Sequence, residues 1–226
     1  MSVRVHHRLP APTWVRLSLL VGGALTLAWT RWAAGAGLDA RVASDVVLFV
    51  LVPVALATAY GRDLGFRVDR RVLRNTALLA GFVLPFYVVG SSLPTVRAFY
   101  PMWGLGSASA GAFLPHAAKQ VVVVIAAEVY YRGLLCVGVR EIGPKSVFIS
   151  PVVYALAHVH KPPVELLLSG PTDVLFGAVD YKSASLLPSV VAHGGGLVLL
   201  DWLVLHDPLL SPSAVASWLA WLPVPV

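Results

Sequence analysis

Glu128, Arg132, His158 and His193 are ionisable side chains set in otherwise apolar stretches of this sequence. Glu128 and Arg132 stand four residues apart in "VVVVIAAEVYYRGLLCVGV", so on a helix they share a face and can neutralise one another. A carboxylate, a guanidinium and two imidazoles can transfer protons, hold water or an ion, or pair for architecture alone. Their positions narrow the choice. Glu128 lies 12 residues before Arg140, His158 lies 13 after Lys145, and His193 lies 11 after Lys182. At about 1.5 Å per residue these are nearly one depth, roughly 17 to 20 Å from a common surface. An ionisable group inside a bilayer costs several kcal/mol unless it meets a cavity or a partner. Three helices with polar groups at one level therefore predict a convergent site; separate interhelical hydrogen bonds are the alternative.

The elements that must position these groups are membrane helices. The 226 residues are 58% hydrophobic and 12% charged, with a mean hydropathy of +0.78, too apolar for an ordinary soluble domain. The expected fold is all-α, a polytopic transmembrane helix bundle of about seven to eight membrane segments in a single integral membrane domain, 1–226. A span needs about 20 mostly apolar residues. Candidates run over 14–34, 44–60, 76–91, 117–139, 145–158, 163–179, 186–205 and a short tail at 209–222. The segment 163–179, interrupted by Pro171 and carrying Glu165 and Asp173, could also be re-entrant. The opening "MSVRVHHRLPAPTW" has no small-residue cleavage site after a short apolar core, so the first segment is expected to be a retained anchor.

Net charge of +6 comes mostly from arginines between the apolar runs, above all Arg62, Arg67, Arg70, Arg71 and Arg74. That loop should stay in the cytoplasm, which puts the amino terminus inside and 92–116 outside. No basic tract interleaved with aromatics points to nucleic acid. Cys136 is the sole cysteine, so no disulfide or cysteine-based zinc site forms within the chain, and it is expected to be a packing residue.

Three short stretches resemble the motifs of one family. "AEVYYRG" (127–133) looks like the Glu-Glu-x-x-x-Arg-Gly signature of the CAAX protease and bacteriocin-processing family of intramembrane glutamic endopeptidases, with Ala127 where the first glutamate belongs. "YALAH" (154–158) looks like the family's Phe-x-x-x-His, with Tyr154 in place of phenylalanine. "HGGGL" (193–197) looks like its third motif, a histidine followed four residues later by a polar group, with Leu197 at that position. Order, spacing and placement in successive helices resemble the family over a core of about 117–205. The connection from His160 to Pro188 also resembles the myxosortase branch, bacterial enzymes that cut carboxy-terminal sorting signals.

The resemblance implies a mechanism without cofactor or metal. The residue at position 127 would be the base that activates water, His158 would hold or deprotonate that water, His193 would donate to the oxyanion, and Glu128 with Arg132 would form the supporting ion pair. It further implies a bacterial cytoplasmic membrane, and a membrane-anchored protein substrate with a carboxy-terminal hydrophobic helix as partner. A prenylated CAAX terminus is the other substrate class. Alanine accepts no proton, so the chain as it stands should be inactive by this route: a natural pseudoprotease, or a protease disabled by substitution, the reading favoured by retention of the other site residues. Leu197 cannot replace a polar oxyanion donor. Asp201, about 80° off the His193 face, is a candidate substitute or else a capping or interfacial carboxylate.

Other residues carry blander expectations. Tyr130 and Tyr131 should be core or interfacial aromatics, and His116 and Lys119 interfacial anchors. Gly194, Gly195 and Gly196 should permit close helix approach, with access for a substrate backbone as the alternative. Asp45, Glu165 and Asp173 should line a polar path or cap helix ends. Trp202, Trp218 and Trp221 fit aromatic belts. Two other function classes stay open on the residues alone: a metal site of Glu128, His158 and His193, and a chaperone or proton-coupled transporter.

Overall fold

A computed structural model describes residues 9–105 and 107–226. Residues 1–8, on which part of the anchor reading rests, lie outside the described residues. The chain is an all-helical bundle in which five helices are long and apolar enough to cross a membrane. In order these are α1 (Ala11–Trp32), α2 (Leu38–Ala59) and α3 (Arg70–Gly90), then, after the short α4 (Pro94–Phe99), α5 (Ala110–Leu134). A 3-10 segment, Val137–Phe148, leads into α6 (Ser150–Ala157) and α7 (Pro163–Ser183). The fifth span is α8 (Leu187–Val204), followed by the short α9 (Pro212–Trp218).

Three segments expected to span take other forms. Residues 145–158 are not one helix: 3-10 winding continues through Phe148, and an eight-residue α6 begins only at Ser150, with Pro151 in its first turn. His158 caps that helix, so its distance along a straight helix from Lys145 was not the relevant measure. The segment 163–179 belongs to an unbroken 21-residue helix that runs through Pro171, since one lost backbone donor does not end a helix packed among others. This helix has the length of a span without its composition. Its Asp173 and Asp180 are turned fully into the protein. The tail at 209–222 contains only the seven-residue α9, too short to cross.

Local chemistry sets several boundaries. Asp69 caps α3, its Oδ1 accepting from the Val72 N–H at 2.9 Å, and that backbone donor holds the carboxyl below the usual carboxylate range. Ala184, at φ 51°, turns the chain from α7 into α8.

The longest seam in the bundle is α3 against α8. Gly196 makes it close: a Cβ there would overlap the Tyr87 ring. Gly194 lies on another face, where a Cβ would reach Val124 of α5 at 3.6 Å, whereas Gly195 faces open space. The expectation of close packing thus holds for two of the three glycines.

The two ends of the bundle differ. At one, the Leu186 N–H donates to Gly65 O at 2.8 Å, tying the α7–α8 turn to the arginine-rich loop, and Trp14 Nε1 donates to Gly138 O at 2.7 Å, tying α1 to the 3-10 segment. At the other, Arg97 donates to the carbonyls of Val204 and His206, tying α4 to the end of α8. One apolar core lies toward the basic end, built on Trp14, Phe49, Tyr130, Leu134 and Tyr154; a second, with Leu93, Val164, Leu197 and Leu200, lies toward the other. Cys136 is buried in the packed interior, as expected.

Candidate active site

The site begins where α5 changes winding. Its α-helical hydrogen bonding gives way to a π turn over Val129–Leu134, a local expansion that recurs at functional positions. Glu128 and Arg132 stand on either side of this change and are both fully buried. Arg132 Nε lies 3.3 Å from Glu128 Oε2, so the expected pair forms despite the altered winding. Tyr130 and Tyr131 on the same turn are core aromatics; the Tyr130 hydroxyl donates to Gly22 O of α1 at 2.8 Å.

Each charged group has a second partner from another helix. Glu128 Oε1 accepts from His193 Nδ1 of α8 at 2.7 Å. Arg132 Nη1 donates to Asp173 Oδ1 of α7 at 2.5 Å, and the Ser150 hydroxyl of α6 donates to Asp173 Oδ2 at 2.6 Å. Asp173 therefore neither caps a helix nor lines an open path: it is the second anion of a buried carboxylate–guanidinium–carboxylate relay. Sequence reasoning flagged it as a charge in an apolar helix but assigned no partner, because a contact 41 residues away in sequence leaves no periodic trace. Ser150 carried no signal at all.

His158 packs beside Tyr154. The Tyr154 ring centroid lies 4.3 Å from that of His158 and 6.4 Å from that of His193, and the Arg132 guanidinium carbon sits 5.0 Å from the same ring. His158 Nδ1 donates to the Tyr154 carbonyl at 2.8 Å, which leaves Nε2 with its lone pair in the neutral ring. That nitrogen is 3.7 Å from Glu165 Oε1, while Glu165 accepts from Tyr100 at 2.7 Å and from Lys161 at 2.6 Å. Ala127, half-buried, packs against the cluster that contains Tyr130, Tyr131 and Tyr154. The structure thus joins Glu128, Arg132 and His193 directly and sets His158 one aromatic ring away.

Two expected contributors are elsewhere. Leu197 is buried in the apolar core it shares with Leu93, Val164 and Leu200. Asp201 is eight residues from His193, about 12 Å along the helix, too far to serve the same reacting atom. It is neither interfacial nor a cap: fully buried, its Oδ2 accepts from His116 Nε2 at 3.0 Å and from Gln120 Nε2 at 2.5 Å. His116 is accordingly a buried partner of Asp201, not an interfacial anchor, and Lys119 pairs with Asp39 at 2.5 Å. Asp45 accepts from Trp29 and Arg41 at 2.9 Å each. Among the described residues no three His, Cys, Asp or Glu side chains converge as metal ligands would.

Chemically the cluster can hold a charged imidazole. With Nδ1 donating to Glu128, His193 offers a base at Nε2 when neutral and a donor there when protonated, the Glu128 carboxylate neutralising the imidazolium. A donor in this water-poor setting suits a developing oxyanion. His158 Nε2 supplies an acceptor for water.

Residues 109–196 match the family described as type II CAAX prenyl endopeptidase Rce1-like. The matched region runs from the start of α5 into α8 and contains positions 127, 128, 132, 154, 158, 173 and 193, but neither Leu197 nor Asp201. No match was found among characterised proteins or among solved structures.

Proposed function

We propose that this multi-pass membrane protein, whose residues 109–196 match the family described as type II CAAX prenyl endopeptidase Rce1-like, is an intramembrane endopeptidase scaffold of the glutamic type. The hydrogen bond between Glu128 and His193 carries this reading, because it brings the first and third motifs together beside position 127 in a buried, charge-compensated cluster. In this reading a carboxylate at 127 takes a proton from water held by His158, and the resulting hydroxide attacks the peptide carbonyl. Protonated His193 donates to the oxyanion, and the carboxyl proton passes to the departing amine as the C–N bond breaks. Glu128 and Arg132 touch no reacting atom; they orient His193.

With alanine at 127 the chain does not perform the first step, so we read it as a protease disabled at one position. Its substrate is a membrane-anchored protein with a carboxy-terminal hydrophobic sorting helix, cut at a bacterial cytoplasmic membrane. The CAAX prenyl endopeptidase description of the matching family supports a second reading, a prenylated carboxy terminus. One experiment serves both. Ala127→Glu is expected to restore cleavage of a membrane-embedded peptide without added metal and without sensitivity to Ser or Cys reagents. Cleavage of a farnesylated peptide in place of a hydrophobic-helix peptide would select the CAAX reading; a folded revertant inert on both would identify a pseudoprotease.

A further inference from the structure

Away from this site, a groove of ≈270 Å³ follows the seam between α3 and α7 at the basic end of the bundle. Leu78, Leu79 and Phe82 line one side and Leu175 and Val179 the other, with Asn75 and Lys182 at its end. Leu79 also belongs to the small apolar cluster with Val83, Phe176 and Ala192. From Asn75 to Phe82 is about 10 Å of helix, a third of a bilayer's hydrocarbon core of about 30 Å.

The mouth is cationic. Arg71 precedes Asn75 by four residues and Arg74 precedes Leu78 by four, so both lie on the groove's face of α3, across from Lys182. All three are exposed. The ion pairs of this loop are Arg62 with Glu141 and Arg67 with Asp69; among the described residues no carboxylate pairs with Arg71, Arg74 or Lys182.

We propose that this groove is a binding site for one anionic phospholipid, its phosphate held by Lys182, Arg74 and Arg71 and an acyl chain laid between α3 and α7. Charge and shape select this occupant. A second copy of the chain would bring the same three cations against them. A zwitterionic lipid fits the apolar part but brings its own cation to the mouth, whereas an anionic headgroup satisfies both parts. The site is independent of the peptidase reading. It has a structural consequence, because α7 also carries Asp173, the partner of Arg132, and Phe176, whose ring lies 6.3 Å from that of His193. A lipid on the seam braces the helix that holds the buried relay.

The test uses the full chain in detergent, titrated with phosphatidylglycerol or with phosphatidylcholine of the same acyl chains. Phosphatidylglycerol should raise Tm saturably and remain bound in native mass spectrometry at least tenfold more than phosphatidylcholine. Glycerol 3-phosphate alone should give none of the rise. Lys182→Glu with Arg74→Glu should abolish the preference while leaving Tm in phosphatidylcholine unchanged; should that double variant misfold, Lys182→Gln with Arg74→Gln should reduce it. Equal retention of the two lipids, an undiminished preference in the folded charge variants, or the full rise with glycerol 3-phosphate would overturn the proposal.

Discussion

Arg132 is held between two carboxylates from two helices, Glu128 and Asp173, and all three side chains are closed off from solvent. Removing the guanidinium leaves Glu128 with His193 alone and Asp173 with only the Ser150 hydroxyl, a loss of about 3–5 kcal/mol for a broken buried pair. His158, by contrast, gives up one hydrogen bond to a backbone carbonyl. In the Ala127→Glu background, Arg132→Ala should therefore lower the detergent Tm clearly more than His158→Ala. Both should lose most cleavage, His158→Ala by about 100-fold or more as an acid–base partner. Asp173→Ala should resemble Arg132→Ala in stability, because it too breaks the relay. Equal Tm values for Arg132→Ala and His158→Ala would show the supporting and the reacting residue to be exchanged. At this scale the sequence was informative about Glu128, Arg132 and the two histidines, whose cost inside a bilayer marks them without any structure. It did not reveal whether Asp173 or Asp201 belongs with them, since both are carboxylates in apolar helices and only the fold distinguishes their partners.

Among the elements, α8 is decisive because it carries His193 and lies against both α3 and α5. Its glycines separate two roles that look identical in "HGGGL". A Cβ at position 196 would meet the Tyr87 ring, and one at 195 would meet nothing within 4 Å. Gly196→Ala should then push α3 and α8 apart at an overpacking cost of about 1–3 kcal/mol, visible as a lower Tm, whereas Gly195→Ala should leave Tm unchanged or slightly higher through better helix propensity. A larger loss for Gly195→Ala would refute the packing assignment. Helix existence was readable from hydropathy for the five apolar spans. The 3-10 segment and the continuous α7 were not, because hydropathy does not distinguish 3-10 from α winding and because Pro171 removes one backbone donor without ending its helix.

Across the whole molecule, Arg62, Arg67, Arg71, Arg140 and Lys182 belong to segments at one end of the bundle, and the α1 start joins that end through the Trp14 to Gly138 hydrogen bond. We propose, by the positive-inside rule, that this end faces the cytoplasm. A protease-sensitive tag fused ahead of residue 1 should be protected in intact spheroplasts and cut after lysis, while a tag in the 101–109 connection should be cut in both. Cleavage of the amino-terminal tag in intact cells would invert the orientation.

From the sequence by itself came the membrane environment, the all-helical class and the residues that would be expensive to bury without a purpose, because each follows from composition or from spacing along a single helix. Only the tertiary structure decided which of those residues meet. Glu128 reaches His193 across 65 residues and Arg132 reaches Asp173 across 41, while Asp201, in the same helix as His193, turns to His116 and Gln120. Helical periodicity specifies a face and a depth; it does not specify which neighbouring helix occupies that face, and the partner is what makes a buried charge a site or a strut.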